Sequence, residues 1–163
     1  MAKIQADQPL VPSVLDRLLD DEPEVKREAA RTRNQLLREL KLSVRRDLEN
    51  LLNTRRRCLG WPADLTELER SLLNYGIPDF MGANLAAVEG REQFCQALQG
   101  VIRTYESRFK AVKVRLLDNG DPLDRTLRFH IDALLRADPA PEPVVFDSAV
   151  EPGTGTIQVK SAS

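Results

Sequence analysis

The sequence predicts an α+β fold, in which N-terminal helices pack on one face of a small, mainly antiparallel C-terminal β-sheet. Two observations carry this prediction. Apolar residues recur with helical spacing as far as Tyr105, and beyond Phe109 they alternate with polar residues as they do in strands. The chain has 163 residues, of which 42% are hydrophobic and 30% charged, which suits one globular domain with its own core plus tails.

The first part of the chain predicts a tail and two helices. Residues 1–11 are expected to form a mobile tail. Residues 13–20 predict a helix capped by Ser13, and its apolar stripe consists of Val14, Leu15, Leu18 and Leu19. Residues 24–38 predict a polar, Arg-rich helix that is expected to be exposed. We therefore treat residues 1–40 as a tail with peripheral helices, and residues 41–163 as the main α+β domain.

Three further helices are predicted before the sheet. The clearest spans residues 43–57, with Ser43 as its N-cap and Arg55 in its last turn. Its apolar face consists of Val44, Leu48, Leu51 and Leu52. A shorter helix is predicted over residues 66–74, and a longer one runs from about residue 85 or 90 to Tyr105.

Four strands are predicted after these helices. The first contains Val112, Val114 and Leu116, and the segment Asp118–Pro122 supplies turn-forming residues after it. The second covers residues 125–136, and its apolar face consists of Leu127, Phe129, Ile131, Ala133 and Leu135. The last two, Val144–Phe146 and Thr156–Lys160, are short and flanked by Pro and Gly, as edge strands often are. Exposed edges can accept a strand from another chain, and the simpler alternative is that both strands only complete the domain's own sheet.

The sequence lacks the motifs of common enzyme classes, which argues against an enzyme. There is no GxxxxGK[ST], GxGxxG, GxSxG or HExxH motif. The two cysteines, Cys58 and Cys95, are far apart, and Cys95 is expected to pack as a small apolar residue. The single histidine, His130, lies on the polar face of its strand without a companion nucleophile. We expect no catalytic residue, cofactor, metal or small-molecule substrate, although counting carboxylates leaves a glycosidase pair open.

Composition also bears on the compartment and on charged partners. No apolar run approaches the ~20 residues of a membrane-spanning helix, and the N-terminus lacks a signal-peptide layout, so the cytoplasm is expected. The net charge of −1 gives no field that would steer the molecule to DNA or a membrane. Residues 24–57 nevertheless hold eleven Lys/Arg against five Asp/Glu, which leaves an Arg-rich nucleic-acid-binding module as an alternative.

An acid and a base mark the switch from helical to strand spacing. Glu106 and Arg108 lie there, next to Phe109, at a place more often filled by Gly, Asn or Pro. Such a pair can form charge-assisted hydrogen bonds to a partner. The alternative is an internal ion pair that closes the junction between helix and strand.

Several segments together resemble a known family. They are Ser13-Val-Leu-Asp-Arg-Leu18, Val44-Arg-Arg-Asp-Leu-Glu-Asn-Leu-Leu-Asn-Thr-Arg55, Leu72-Leu-Asn-Tyr-Gly-Ile-Pro-Asp-Phe80 and Leu127-Arg-Phe-His-Ile131. These segments resemble the TssE family of type VI secretion baseplate subunits, which is related to the baseplate wedge proteins of contractile-tailed phages. The resemblance covers about residues 13–160.

The resemblance implies a structural protein rather than an enzyme. It implies contacts with the wedge subunits TssF and TssG, a place near TssK and the VgrG hub, and strands on which the TssB/TssC sheath assembles. It implies a cytoplasmic baseplate docked at the inner-membrane complex. The family's Glu-Pro-Arg signature matches Glu106, Ser107 and Arg108, with serine in place of proline, so Glu106, Arg108 and Phe109 are the predicted partner interface. Some members of the wider family carry a lysozyme-like label, and the muramidase activity that it suggests has no independent support in these residues.

Overall fold

A computed structural model describes residues 14–18, 24, 32–57, 60–62, 64–80, 88–117, 126–137, 140–150 and 154–161. Its helices are α1 (Val14–Leu18), α2 (Arg33–Asn53) and α3 (Val88–Tyr105), with 3₁₀ turns at Thr66–Arg70 and Leu72–Asn74 between α2 and α3. Its strands are β1 (Phe109–Leu117), β2 (Leu127–Leu135), β3 (Glu142–Val150) and β4 (Ile157–Ser161). Helices precede strands, so the predicted α+β class is confirmed.

The four strands form one antiparallel sheet in the order β1-β2-β3-β4. Each strand therefore pairs with its neighbour in sequence, and β1 and β4 lie at the two edges. Helix α3 packs on β1 and helix α2 packs beside β4. The apolar face predicted for β2 is confirmed, since alternate residues from Phe129 to Leu135 are buried against the helices.

The core lies between the two long helices and the sheet. Its largest fully buried side chains include Leu48, Leu52, Leu98, Ile102, Phe129, Ile131, Phe146 and Ile157. Phe94 links helix and sheet, because its ring meets Phe80 at 4.9 Å and Phe129 at 6.0 Å, both edge to face. Cys95 is half-buried and packs against this core as expected.

Helix α2 differs from the prediction at both ends. It starts at Arg33, and Thr32 caps it in a capping box with Gln35, whose side chain accepts from the Thr32 amide at 2.8 Å. Ser43 is therefore not an N-cap but a buried residue in mid-helix, because no Gly or Pro interrupts residues 33–53. The helix ends at Asn53, so Arg55 is not in its last turn. Arg55 instead forms a bridge with Ile77.

Two other elements also differ from prediction. Residues 66–74 form two 3₁₀ turns rather than one helix. Strand β3 has nine residues rather than three and lies inside the sheet, so it is not an edge strand. Pro143 fits in it because β4 pairs only with Phe146–Val150, which leaves no neighbouring strand beside Pro143 on that side.

Several predictions fall on residues outside the described part of the chain. These are the tail over residues 1–11, the cap at Ser13, the stripe residue Leu19, residues 25–31 of the predicted Arg-rich helix, the turn at residues 118–122 and Cys58. The division at residues 40 and 41 stays a prediction, and helix α2 runs across it without a break. No helix in the described ranges is long and apolar enough to cross a bilayer.

Candidate functional site

Glu106 closes the junction between α3 and β1 with its own carboxylate. Its amide donates to the Ile102 carbonyl at 2.9 Å, which completes the last turn of α3. Its carbonyl accepts from the Phe109 amide at 3.2 Å, and its side-chain Oε1 accepts from the Arg108 amide at 3.1 Å. An acid therefore suits this switch because its oxygen satisfies an amide that neither helix nor strand reaches.

Arg108 joins this junction to helix α2. Its Nε donates to Glu106 Oε1 at 2.7 Å and its Nη2 to Glu106 Oε2 at 2.5 Å. The same Nη2 donates to Asp47 Oδ2 at 2.7 Å, and Nη1 donates to the Ser43 hydroxyl at 3.2 Å. Glu106 is only 6% exposed, so Arg108 supplies the partner that a buried carboxylate requires.

The charge environment of Arg108 agrees with this geometry. Burial acts to lower the pKa of Arg108, but the hydrogen bonds and charges of Glu106 and Asp47 outweigh burial and raise that pKa above its ordinary value. The guanidinium therefore stays charged throughout the accessible pH range. The internal ion pair is the arrangement that the structure shows, and the partner-interface role of these residues stays a prediction.

The network continues from α2 to the short helix α1. The Ser43 hydroxyl donates to the Asp16 carboxylate at 2.7 Å, and Arg46 Nη2 donates to Asp16 Oδ1 at 2.8 Å. The hydrogen bond that Arg46 donates to Asp16 is the main reason that the pKa of Arg46 is raised. Arg46 Nε also donates to Asp47 Oδ1 at 3.3 Å, so an unbroken chain of polar contacts connects Glu106 with α1. We call these six residues the junction network: Asp16, Ser43, Arg46, Asp47, Glu106 and Arg108.

Helix α1 presents its apolar residues to solvent. Val14, Leu15 and Leu18 are all exposed, Leu18 to 75%, and Leu42 on α2 is 57% exposed. A five-residue helix has little stability alone, so the contacts of Asp16 help to hold it against α2. Exposed apolar side chains on a short helix that polar contacts hold in place are typical of a surface that a partner covers.

The loop at residues 75–80 packs beside the junction. The Tyr75 ring meets the Tyr105 ring edge to face at 5.2 Å, and the Tyr105 hydroxyl donates to the Ser71 carbonyl at 3.1 Å. Burial raises the pKa of Tyr75, and the nearby charges of Asp47 and Glu106 add to that rise. Three of the four segments that carry the family resemblance therefore meet around the junction.

Phe109, the third residue of the predicted interface, lies in the core. It is 7% exposed, and its ring centre lies 6.4 Å from that of Phe146. The structure thus brings all three predicted residues to one junction, with Phe109 anchoring it from within. Sequence reasoning missed Ser43, Asp47 and Asp16. Their contacts with the junction or with α2 join residues 27 to 65 positions apart, and no local pattern signals such contacts.

Several arginines in the described part of the Arg-rich segment form contacts within the chain. Arg45 donates to Glu49 and to the Val159 carbonyl, and Arg46 binds Asp16. Arg55 donates to the Gly155 carbonyl at 2.8 Å, and its guanidinium lies 4.7 Å above the Phe80 ring. These contacts weaken the nucleic-acid alternative, because the same guanidinium groups would have to leave them to bind phosphates.

The described residues contain no cluster of three or more His, Cys, Asp or Glu side chains placed to hold a metal ion. His130 is half-buried on the face of the sheet away from the helices, and it contacts Asp147, which is the residue opposite it on the neighbouring strand β3. This pair is a cross-strand contact within the sheet.

A protein-family model described as baseplate wedge protein gp25 matches residues 38–140. That span holds most of α2, all of α3, the junction and the first two strands. No curated protein matches the chain.

Proposed function

Because the chain belongs to the family of the baseplate wedge protein gp25, we propose that it is a structural subunit of the baseplate of a contractile injection machine. The segments that resemble the TssE family, the type VI secretion counterpart of gp25, are our reason for proposing that the machine is a type VI secretion system. In that setting the chain lies in the cytoplasm, in a baseplate docked at the inner-membrane complex.

The observation that carries the proposal is the junction network and the apolar surface that it supports. Glu106 and Arg108 are tied through Ser43, Asp47 and Arg46 to Asp16, and α1 then exposes its apolar side chains beside them. An exposed apolar surface on a preorganised support suits a permanent contact in an assembly. We assign this surface to the wedge subunits TssF and TssG.

A place in the baseplate between the wedge and the sheath implies further neighbouring subunits. A subunit between wedge and sheath lies close to TssK and to the VgrG hub. Its sheet can offer backbone hydrogen bonds to a strand of the TssB/TssC sheath, so that the first sheath ring is built on it.

The muramidase alternative lacks support from the geometry of Glu106. A general acid must present a protonated oxygen to the substrate across a cleft. Both Glu106 oxygens accept hydrogen bonds from Arg108, and the residue is buried. A purified chain that released soluble fragments from peptidoglycan, and lost that activity on Glu106→Gln, would favour the enzyme over the structural subunit.

The wedge contact is tested by co-purification of TssF and TssG with tagged variants. Glu106→Ala and Arg108→Ala disrupt the network, and Leu18→Glu changes only the exposed surface of α1. Arg103→Ala, an exposed cation in the last turn of α3, is the matched control. The network variants remove the support that holds α1 against α2, and Leu18→Glu places an unpaired charge in the apolar contact. Either change should cost at least about 2 kcal/mol of binding, so the three variants should lose at least about 30-fold in affinity and the control should not.

Leu18→Glu keeps the test informative if the network variants lose stability. Its side chain is exposed, so the thermal midpoint should stay within about 2 °C of the wild type. Full binding by Leu18→Glu and by both network variants would exclude this face as the wedge contact.

A further inference from the structure

The proposed assembly of sheath on this chain needs a sheet edge that can accept a strand, and the sheet has two, β1 and β4. The inference drawn here rests on that proposed function and concerns the choice between the edges. The sequence favoured the C-terminal strands, but β3 lies inside the sheet, so β4 alone of those two is an edge.

The outer edge of β4 is already bonded to side chains of α2. Asn53 Nδ2 donates to the Ile157 carbonyl at 2.8 Å, and Asn53 Oδ1 accepts from the Ile157 amide at 2.8 Å. One turn earlier on α2, Glu49 accepts from the Val159 amide at 3.3 Å. One turn before that, Arg45 donates to the Val159 carbonyl at 3.1 Å.

These contacts repeat the hydrogen-bond pattern of a strand. Residues 45, 49 and 53 are spaced by four and so line one face of α2. Ile157 and Val159 are alternate residues, whose amides and carbonyls point to the same side, away from β3. Helix α2 therefore occupies the place of a fifth strand, and an incoming strand would have to break four hydrogen bonds there.

The outer edge of β1 forms fewer hydrogen bonds to a helix. Helix α3 packs on β1, and within the described ranges the Val114 amide donates to Gln99 Oε1 at 3.3 Å. Because the Val114 amide points away from β2, the backbone groups of Val112 and Leu116 point outward as well. Within the described ranges, the carbonyls of these three residues accept no hydrogen bond. An incoming strand would break one hydrogen bond to a neutral amide and move the side chains of α3 away from this edge, against four hydrogen bonds at the edge of β4.

The side chains of β1 indicate what kind of strand fits. Lys113 and Arg115 are exposed on the face of the sheet away from the helices. Arg115 contacts Asp132 on β2, which faces the same side. An added strand would place alternate side chains next to these cations, where opposite charges attract and like charges repel.

We propose that β1, and not β4, accepts the partner strand, and that this strand is an extended segment with acidic residues at alternate positions facing Lys113 and Arg115. Strand β1 has nine residues against the five of β4, so it also offers a longer row of backbone groups. Helix α2 serves as the permanent cover of the other edge, which prevents pairing there.

Two lysines provide a matched test of the two edges. Lys113 on β1 and Lys160 on β4 are both exposed and on the same face, and each lies directly across from an aspartate, Asp132 or Asp147. A photo-cross-linking amino acid at position 113 or 160 of the tagged full chain, in cells that make the whole secretion machine, reports which strand a sheath subunit contacts. Mass spectrometry identifies the cross-linked peptide.

The expected result is a cross-link from position 113 to an acidic, extended segment of a sheath subunit, with at least fivefold lower yield from position 160. Lys113→Glu should lower the recovery of sheath with the chain at least fivefold, Lys113→Arg should restore it, and Lys160→Glu should change it less than twofold. Equal or greater yield at position 160, or a different partner at position 113, overturns the choice of β1 and leaves sheath assembly on this chain standing. If neither position cross-links to sheath while TssF and TssG still co-purify, assembly on this sheet is itself refuted.

Deletion of residues 142–163 does not make this distinction. It removes β3 and β4 together with the core residues Phe146, Ile157 and Val159, so the domain is expected to unfold. Point changes on exposed side chains avoid that ambiguity.

Discussion

Replacement of Arg108 by alanine tests whether the junction network holds the fold together. The change removes the hydrogen bonds that the Arg108 side chain donates to both Glu106 carboxylate oxygens, to Asp47 and to Ser43. It leaves the buried Glu106 carboxylate without its main partner. Breaking a fully buried ion pair costs about 3–5 kcal/mol. The Arg108 and Asp47 side chains are 22% and 31% exposed, so water can replace part of what is lost. We therefore expect the free energy of unfolding to fall by about 2–4 kcal/mol.

Urea unfolding followed by circular dichroism measures that change. For a chain of this size a loss of about 3 kcal/mol corresponds to a thermal midpoint lower by about 6–12 °C. Arg103→Ala is the control, because an exposed cation in the last turn of the preceding helix α3 should change stability by less than about 1 kcal/mol.

A double-mutant cycle shows whether Arg108 acts through Glu106. Glu106→Gln and Arg108→Gln together should destabilise less than the sum of the two single changes, by at least about 1 kcal/mol. An Arg108→Ala protein as stable as the wild type, or single changes that simply add, would refute the network as a stabilising unit.

Three further results are expected from other parts of the fold. Gly76→Ala should lower the free energy of unfolding by at least about 2 kcal/mol, because φ is +106° there and a Cβ would lie 2.4 Å from the Thr54 carbonyl oxygen. Gly100→Ala, which adds a Cβ in open space on α3, should raise that free energy by about 0.5–1 kcal/mol, and the urea midpoints of the two variants measure the difference. Asn53→Ala removes both hydrogen bonds to Ile157 and should speed hydrogen exchange of the Ile157 amide. An unchanged exchange rate at that amide would contradict the role of α2 as the cover of the β4 edge. Because folding raises the pKa of Tyr75, the folded protein binds more protons than the unfolded chain above about pH 10. The free energy of unfolding should therefore fall as the pH rises through that range, and Tyr75→Phe should reduce this dependence on pH.

The fold class could be predicted from the sequence because periodicity is a local property. The change from helical to alternating spacing near Tyr105 and Phe109 placed the junction within a residue or two. The start of α2 could not be predicted as well. Ser43 has the residue type and position of an N-cap, and only its contacts with Asp16 and Arg108 show why a serine lies there in mid-helix.

The two central residues of the candidate site could be predicted from the sequence, but the residues that contact them could not. Glu106 and Arg108 stood out by their place in the sequence, and the structure joins them directly. The choice between an internal ion pair and a docking point was open from sequence, because it depends on burial. The cover of β4 by α2 had no local signal either, since Asn53 and Ile157 are 104 residues apart in sequence.

The most direct test of the account is the set of proteins that co-purify with the tagged chain at its natural level in cells that carry the secretion machine. Mass spectrometry should identify TssF and TssG in fixed proportion to the chain, with TssK, VgrG and sheath subunits in smaller amounts. A folded, tagged chain that recovers no baseplate or sheath subunit would contradict the assignment to the baseplate.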